Sequence, residues 1–397
     1  MKNKTIEFIY FLIKGTFATF LSFFFNQKKM IIITSTNNVS FNFNSKYFFD
    51  YLIEQHSNEC DFYYVINDEK KTKELCEQYP EAAWRFIETK SIKGMLFALK
   101  ANIWITSTFE LPVLSLLINR KRVVFHLGHG IPLKKIGLCE EKITKVQYLN
   151  RYIRTRQFNH VVCYSDSFKK YMEDIFRNKN ITFLPFGQPR NDFLCDRDLI
   201  ARKTIKSICD SINIKSKLCL YAPTWRPYEN TKILPFKDFN YSTLCDYLER
   251  NDIYIFIRSH PFYPISLPEQ FDFNERIINF SSSKINEIID VLPGFDSLIT
   301  DYSSIYLDYL SLGRKVGFIP YDFKQYSESV GFSIPFYDIT PGSKIYTQSE
   351  LIDFFQQEQN VYEKKREQVS CFLNIKSKGN SDEIYSYLSG KGYLNNL

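Results

Sequence analysis

Short apolar runs organise the chain, each closed by a polar or glycine-bearing turn and most followed by a stretch with helical spacing. MIIITST (30–36), DFYYVI (61–66), NIWITST (102–108), VVFHLGHG (123–130), HVVCYSDS (160–167) and ITFLPFG (181–187) read as strands, being rich in β-branched and aromatic residues. The segments between them, such as FNFNSKYFFDYLIEQ and DEKKTKELCEQY, have the length and charge of helices. Residues 196–216 are helical, polar and basic, with no run long enough for a core strand, and they place a domain boundary. A second alternation then follows in KLCLYAPTW (217–225), IYIFIRSH (253–260), IINFS (277–281), SLITDYSS (297–304) and KVGFIPYD (315–322). Strands alternating with helices predict an α/β fold of parallel sheets, here two Rossmann-like domains facing a cleft. The expected limits are 30–200 and 201–375, preceded by a hydrophobic helix within 1–29 and followed by a charged helical tail at 376–397.

The N-terminal stretch IEFIYFLIKGTFATFLSFFF (6–25) is strongly apolar, interrupted by Glu7 and Lys14 and followed by Gln27, Lys28 and Lys29. It lacks the small residues of a signal-peptide cleavage site. Its length would allow a membrane span, but MIIITST begins almost at once and leaves little chain in which to turn. The expectation is an interfacial helix on the inner leaflet, peripheral or monotopic at the cytoplasmic face, with lysines at the headgroups. A spanning helix and a helix packed on its own domain are the alternatives.

Composition narrows this further. With 44% hydrophobic and 24% charged residues the chain is neither disordered nor a polytopic membrane protein. Nine cysteines without a C-x-x-C pair argue for reduced thiols in a cytosolic compartment and against a zinc ribbon. A net charge of +7 suits an anionic surface or substrate, and no nucleic-acid partner is expected.

The unusual chemistry falls just past the strand ends. RSHP carries Arg258 and His260, a guanidinium beside an imidazole, suited to a diphosphate. TDYSS puts Ser303 and Ser304 where a helix begins, with free amides that favour an anion, and Asp301 beside them to orient the turn or a ligand hydroxyl. YAPTWRP adds Thr224 and Arg226, and GQPRND adds Arg190 and Asp192. In HLGHGIPLKK, His126 and His129 have the spacing of metal ligands, but no third ligand is near and Lys134 and Lys135 oppose a dication. No Ser or Cys is placed to be a nucleophile. What remains is a general base next to cations that steady phosphate oxygens, with His129 the candidate and His126 in support. No metal or other cofactor is expected.

In their order, these blocks resemble the CDP-glycerol glycerophosphotransferases, the family of teichoic acid primases and polymerases. His129-Gly130-Ile131-Pro132-Leu133-Lys134 is similar to the family's His-Gly-Thr-Pro-Leu-Lys, and Gly187-Gln188-Pro189-Arg190-Asn191-Asp192 to its Gly-x-Pro-Arg-Asn-Asp. Ala222 to Arg226, Arg258 to Pro261, Thr300 to Ser304, Tyr321-Asp322 and Gly331-Phe332 match its remaining blocks. The resemblance implies a GT-B-like fold with the nucleotide held mainly by the second domain. It implies transfer of a polyol phosphate from CDP-glycerol or a related CDP-polyol to a lipid-linked glycan or polyol-phosphate acceptor, with release of CMP, in teichoic acid or capsule-like polymer synthesis. His129 would then be the base, His260 and Arg258 would hold the diphosphate and ease departure of CMP, and Asp301, Ser303 and Ser304 would line the donor phosphate site. Gly128 stands where the family commonly has Trp, and Ile131 where it has Thr, departures that bear on the acceptor. A glycosyltransferase using a nucleotide sugar and a non-catalytic membrane-bound scaffold are the rival readings.

Overall fold

The computed structural model describes residues 2–140, 143–259, 271, 275–281 and 283–394. The chain divides into two compact units, one of Met1–His129, Ile136–Asp192 and Gly379–Leu397, the other of Gly130–Lys135 and Phe193–Lys378.

The first unit holds a sheet of β1 (Lys28–Thr34), β2 (Asp61–Val65), β3 (Phe86–Ile87), β4 (Ala101–Thr106), β5 (Val123–His126), β6 (His160–Val162) and β7 (Thr182–Leu184). Every pairing is parallel, in the order β3-β2-β1-β4-β5-β6-β7. The second unit holds β8 (Lys217–Ala222), β9 (Ile253–Ile257), β10 (Ile277–Asn279), β11 (Ser297–Thr300), β12 (Lys315–Phe318) and β13 (Ser343–Lys344). Its order is β10-β9-β8-β11-β12-β13, again all parallel. In both sheets the first strand lies inside and the winding reverses beside it, at β1/β4 and at β8/β11. Loops at the carboxyl ends of strands around such a reversal are where doubly wound sheets bind ligands.

The strands are apolar without alternation because they are covered on both faces. Ile31, Ile32 and Ile33 of β1 and all of β9 are buried. Strand ends differ from the sequence reading where a side chain replaces the ladder. The strand expected over 297–304 stops at Thr300, after which the Asp301 carboxylate takes up the main-chain amides of Thr224 and Tyr302. The strand expected over 217–225 stops at Ala222, before Pro223, which has no N–H to donate. VLSLLI (113–118) forms neither helix nor strand.

The first and the last helix of the chain belong to the first unit. Residues 379–397, expected to form part of a separate tail, include the helix Asn380–Gly390, whose first amides are capped by Asp192. The N-terminal helix Lys2–Ser22 turns Gly15, Ala18, Thr19 and Ser22 inward. A methyl group on Gly15 would sit 2.0 Å from the Leu114 carbonyl oxygen, so only glycine allows this approach. Its large apolar residues, Ile6, Ile9, Ile13, Phe17 and Phe20, face outward. Among the described residues no helix is long and apolar enough to cross a membrane.

Candidate active site

After β5 ends at His126 the chain turns through Gly128 (φ 78°) and Gly130 (φ 138°), conformations that strain any residue with a side chain. The turn separates the fates of the two histidines. His126 is buried between Phe109, Phe158 and Phe176, with ring centroids 5.1–5.5 Å away, and its Nδ1 has no partner among the described residues. Burial, helped by the neighbouring His129, pushes its pKa down to about 3, so it stays neutral.

His129 is exposed and lies 5.5 Å from the ring of Phe43. Although water reaches the ring, desolvation by the protein around it and then the Arg190 charge lower its pKa, while Glu110 and a hydrogen bond to the Ser107 backbone pull the other way. Its backbone is fixed from two sides. Arg190, in the helical turn Pro189–Asp192, donates Nη1–H to the His129 carbonyl at 2.9 Å. Asn44, in the helix Phe43–His56, donates from Nδ2 to the Gly128 carbonyl at 2.8 Å and accepts the Arg190 amide at 3.1 Å. Asn44 is fully buried and thus positions both motif turns. Asp192 spends its carboxylate on the amides of Asn380 and Ser381.

The second unit concentrates charge at the β8/β11 reversal. Arg226 donates Nε–H and Nη2–H to the two Asp322 oxygens at 2.8 and 2.9 Å, and Nη1–H to Asp301 at 2.7 Å and to the Thr224 carbonyl. Four of its five N–H donors are thereby used. Its guanidinium also lies over the rings of Tyr302, Tyr321 and Tyr326 at 4.9–5.2 Å. Asp322 further accepts the hydroxyls of Tyr228 and Tyr302. Burial works against its ionisation, yet the bonds from Arg226 and Tyr228 hold its pKa below the ordinary carboxylate value. Asp301 orients turns, binding the amides of Thr224 (2.9 Å) and Tyr302 (2.5 Å).

Two residues expected at the donor phosphate are bonded within the fold. Arg226 pairs with two buried carboxylates. Arg258 is likewise engaged, its guanidinium bonding the carbonyls of Phe280, Ile285 and Asn286 at 2.6–3.4 Å. His260 lies outside the described residues. Ser303 and Ser304 stand half-buried before the short helix Ile305–Leu310, where Ser304 makes no capping bond with its side chain. Lys134 and Lys135 belong to the second unit, their backbone held by Ser333 and Gly331. Sequence reasoning missed Asn44, Tyr228, Tyr302 and Tyr326 as site builders. Asp322 had a pointer in the Tyr321-Asp322 block, and Asn44 in being an Asn at a helix start. Among the described residues no three His, Cys, Asp or Glu side chains gather at metal-binding range.

Known proteins similar to this chain share one activity class. The teichoic acid poly(glycerol phosphate) polymerase of Bacillus spizizenii is 26% identical over 367 residues, covering 88% of each chain. The teichoic acid glycerol-phosphate primase of Bacillus subtilis is 27% identical over 370 residues, again 88% of each chain. Among solved structures, a variant of the wall teichoic acid polymerase TagF matches with a TM-score of 0.73 at 20% identity, over 92% of this chain and 90% of that one, a likeness of fold. The sequence profile of the CDP-glycerol:poly(glycerophosphate) glycerophosphotransferases matches residues 16–390, and the chain belongs to this family of enzymes.

Proposed function

We propose that the protein transfers glycerol phosphate, or a related polyol phosphate, from a CDP-alcohol to a hydroxyl of a lipid-linked acceptor or growing polymer. CMP is released, and the work takes place at the cytoplasmic face of the membrane. The observation that carries the reading is His129, an accessible imidazole with a lowered pKa on a backbone fixed by Arg190 and Asn44. A neutral imidazole is the form able to accept a proton at neutral pH. The acceptor oxygen attacks the phosphorus that bears glycerol, and its proton passes to His129. The bond from that phosphorus to the bridging oxygen breaks, and CMP leaves with the oxygen. Such transfer depends on positioning and charge neutralisation more than on covalent chemistry.

Two further parts of the reading concern location and specificity. The outward apolar face of the N-terminal helix, with its small residues turned inward, suits a helix lying in the headgroup region. Phe17→Ser/Phe20→Ser should lose binding to anionic vesicles while keeping activity on soluble acceptor analogues. The substrate is tested by measuring nucleotide release from CDP-glycerol, CDP-ribitol and UDP- and GDP-sugars. CMP from a CDP-polyol alone is the expected result; release only from nucleotide sugars would make the protein a glycosyltransferase.

A further inference from the structure

The helix Phe43–His56 opens on a strained residue. Phe43 has φ 55°, a left-handed conformation in which a bulky side chain crowds the main chain and which glycine adopts freely. Its neighbours impose it. Before it, the Ser35 hydroxyl donates to the Asn42 side-chain oxygen at 2.5 Å. After it, Asn44 donates to the Gly128 carbonyl at 2.8 Å, and the Ser45 amide donates to the Ser107 hydroxyl at 2.6 Å. The Ser45 hydroxyl donates in turn to the carbonyl of Thr34, the last residue of β1, at 2.7 Å. With both flanks tied, Phe43 has no freedom to relax, and strain held in this way gathers at working sites.

The three residues that open this helix all serve the His129 turn. The half-buried Phe43 ring lies 5.5 Å from the imidazole centroid, tilted by 52°. Asn44 holds Gly128, the residue before the histidine. Ser45 fixes Ser107, whose backbone bonds the His129 ring. That bond favours the imidazolium, so a ring N–H gives it and the Ser107 carbonyl receives it. One ring nitrogen is thus engaged, which leaves the other to accept a proton.

We infer that Phe43 is a positioning residue of the reaction, its ring pinning the His129 imidazole so that the second nitrogen stays turned toward the acceptor hydroxyl. This rests on the proposed role of His129 as base and names what holds that base. Phe43 acts through the histidine and not on the substrates. A phenylalanine kept at φ 55°, where glycine would fit without strain, marks the side chain as the part that is needed. The ring also keeps water from one face of the imidazole. Desolvation is the main cause of the lowered His129 pKa, with Arg190 adding to it and Glu110 and the Ser107 bond opposing it. His126 is a further titratable group that faces it. Removing the Phe43 ring lets water in, so the His129 pKa rises toward the ordinary value of 6.5, and the acid limb of the rate profile moves up with it.

Steady-state CMP release from CDP-glycerol across pH, with thermal melting of the full chain, tests this. Phe43→Gly should lower kcat roughly 10- to 100-fold, the scale of a small misplacement of a reacting group, and leave the KM for CDP-glycerol unchanged. Its acid limb should move upward. Phe43→Ala should lose turnover equally but melt below Phe43→Gly, since glycine alone accepts φ 55° without strain. Phe43→Tyr, which keeps a ring, should restore both the turnover and the acid limb of the wild type. Turnover in Phe43→Gly close to wild type, an unmoved acid limb, or a Phe43→Tyr as slow as Phe43→Gly overturns the inference. So does a loss of turnover that only follows Tm across the three variants, which would make Phe43 a packing residue. If His129→Ala is inactive and Phe43→Gly is unimpaired, the base stands and the inference alone falls. If His129→Ala retains turnover, the proposed base falls first and Phe43 has nothing to position.

Discussion

The two units treat their conspicuous polar residues in opposite ways. Around His129 the side chain is left accessible while the backbone is fixed by Arg190 and Asn44. Around Arg226 the charged side chains are spent on one another, and what they fix is the backbone of the turns after β8 and β11. An arginine or aspartate in a motif can thus be the frame of a site, and the reacting group can be its plainest member. Geometry separates the roles because a guanidinium with four donors engaged has little left for a ligand.

The largest stability effect that could break this contrast is at Arg226. Arg226→Met leaves Asp301 and Asp322 buried without their cation, and a loss of about 3–5 kcal/mol is expected. Denaturant unfolding measures it; a loss below about 1 kcal/mol would mean that the pair is not the frame. Asn44→Ala removes the bonds to the Gly128 carbonyl and from the Arg190 amide, for an expected cost of about 1–3 kcal/mol. Turnover should fall while the KM for CDP-glycerol holds, because the turn it steadies carries the proposed base. A change in KM alone would place Asn44 elsewhere in the cycle.

The smallest effect is expected at His126. His126→Phe exchanges a buried imidazole with an unpartnered nitrogen for a ring like its three neighbours, so stability near pH 7.5 should change little. The pH dependence carries the sign. The folded pKa of about 3 lies below the ordinary value of 6.5. The unfolded chain therefore binds more protons between these values, and the wild type loses stability as pH falls through that window. At pH 5 the variant should be the more stable of the two in a thermal melt. A variant that loses stability equally at both pH values would show that His126 has a bonding role.

Much of the frame was legible in the chain. Runs such as MIIIT and IYIFI are buried on both faces, and their apolar continuity identifies inner strands of a parallel sheet. The five polar motifs do follow strand ends, at His126, Leu184, Ala222, Ile257 and Thr300. Pairing over long sequence separation was not legible. Asp301 and Asp322 are 75 and 96 residues from Arg226, so nothing local marks that arginine as already partnered. The cap that Asp192 places on a helix 188 residues downstream leaves no local trace either. Asn44 carries no motif at all; its role exists only because the helix start lies against two turns from later in the chain.

The most direct measurement is CMP release from CDP-glycerol by His129→Ala, with acceptor present and thermal melting as the control for folding. A general base contributes roughly 10²- to 10⁴-fold to the rate, so turnover should fall by that factor with Tm and CDP-glycerol affinity retained. In the wild type the acid limb of the rate profile should lie below the ordinary histidine value of 6.5, because activity is lost only as pH falls through the lowered pKa of His129. Turnover in the variant within a few-fold of wild type would contradict the assignment of His129 as the base.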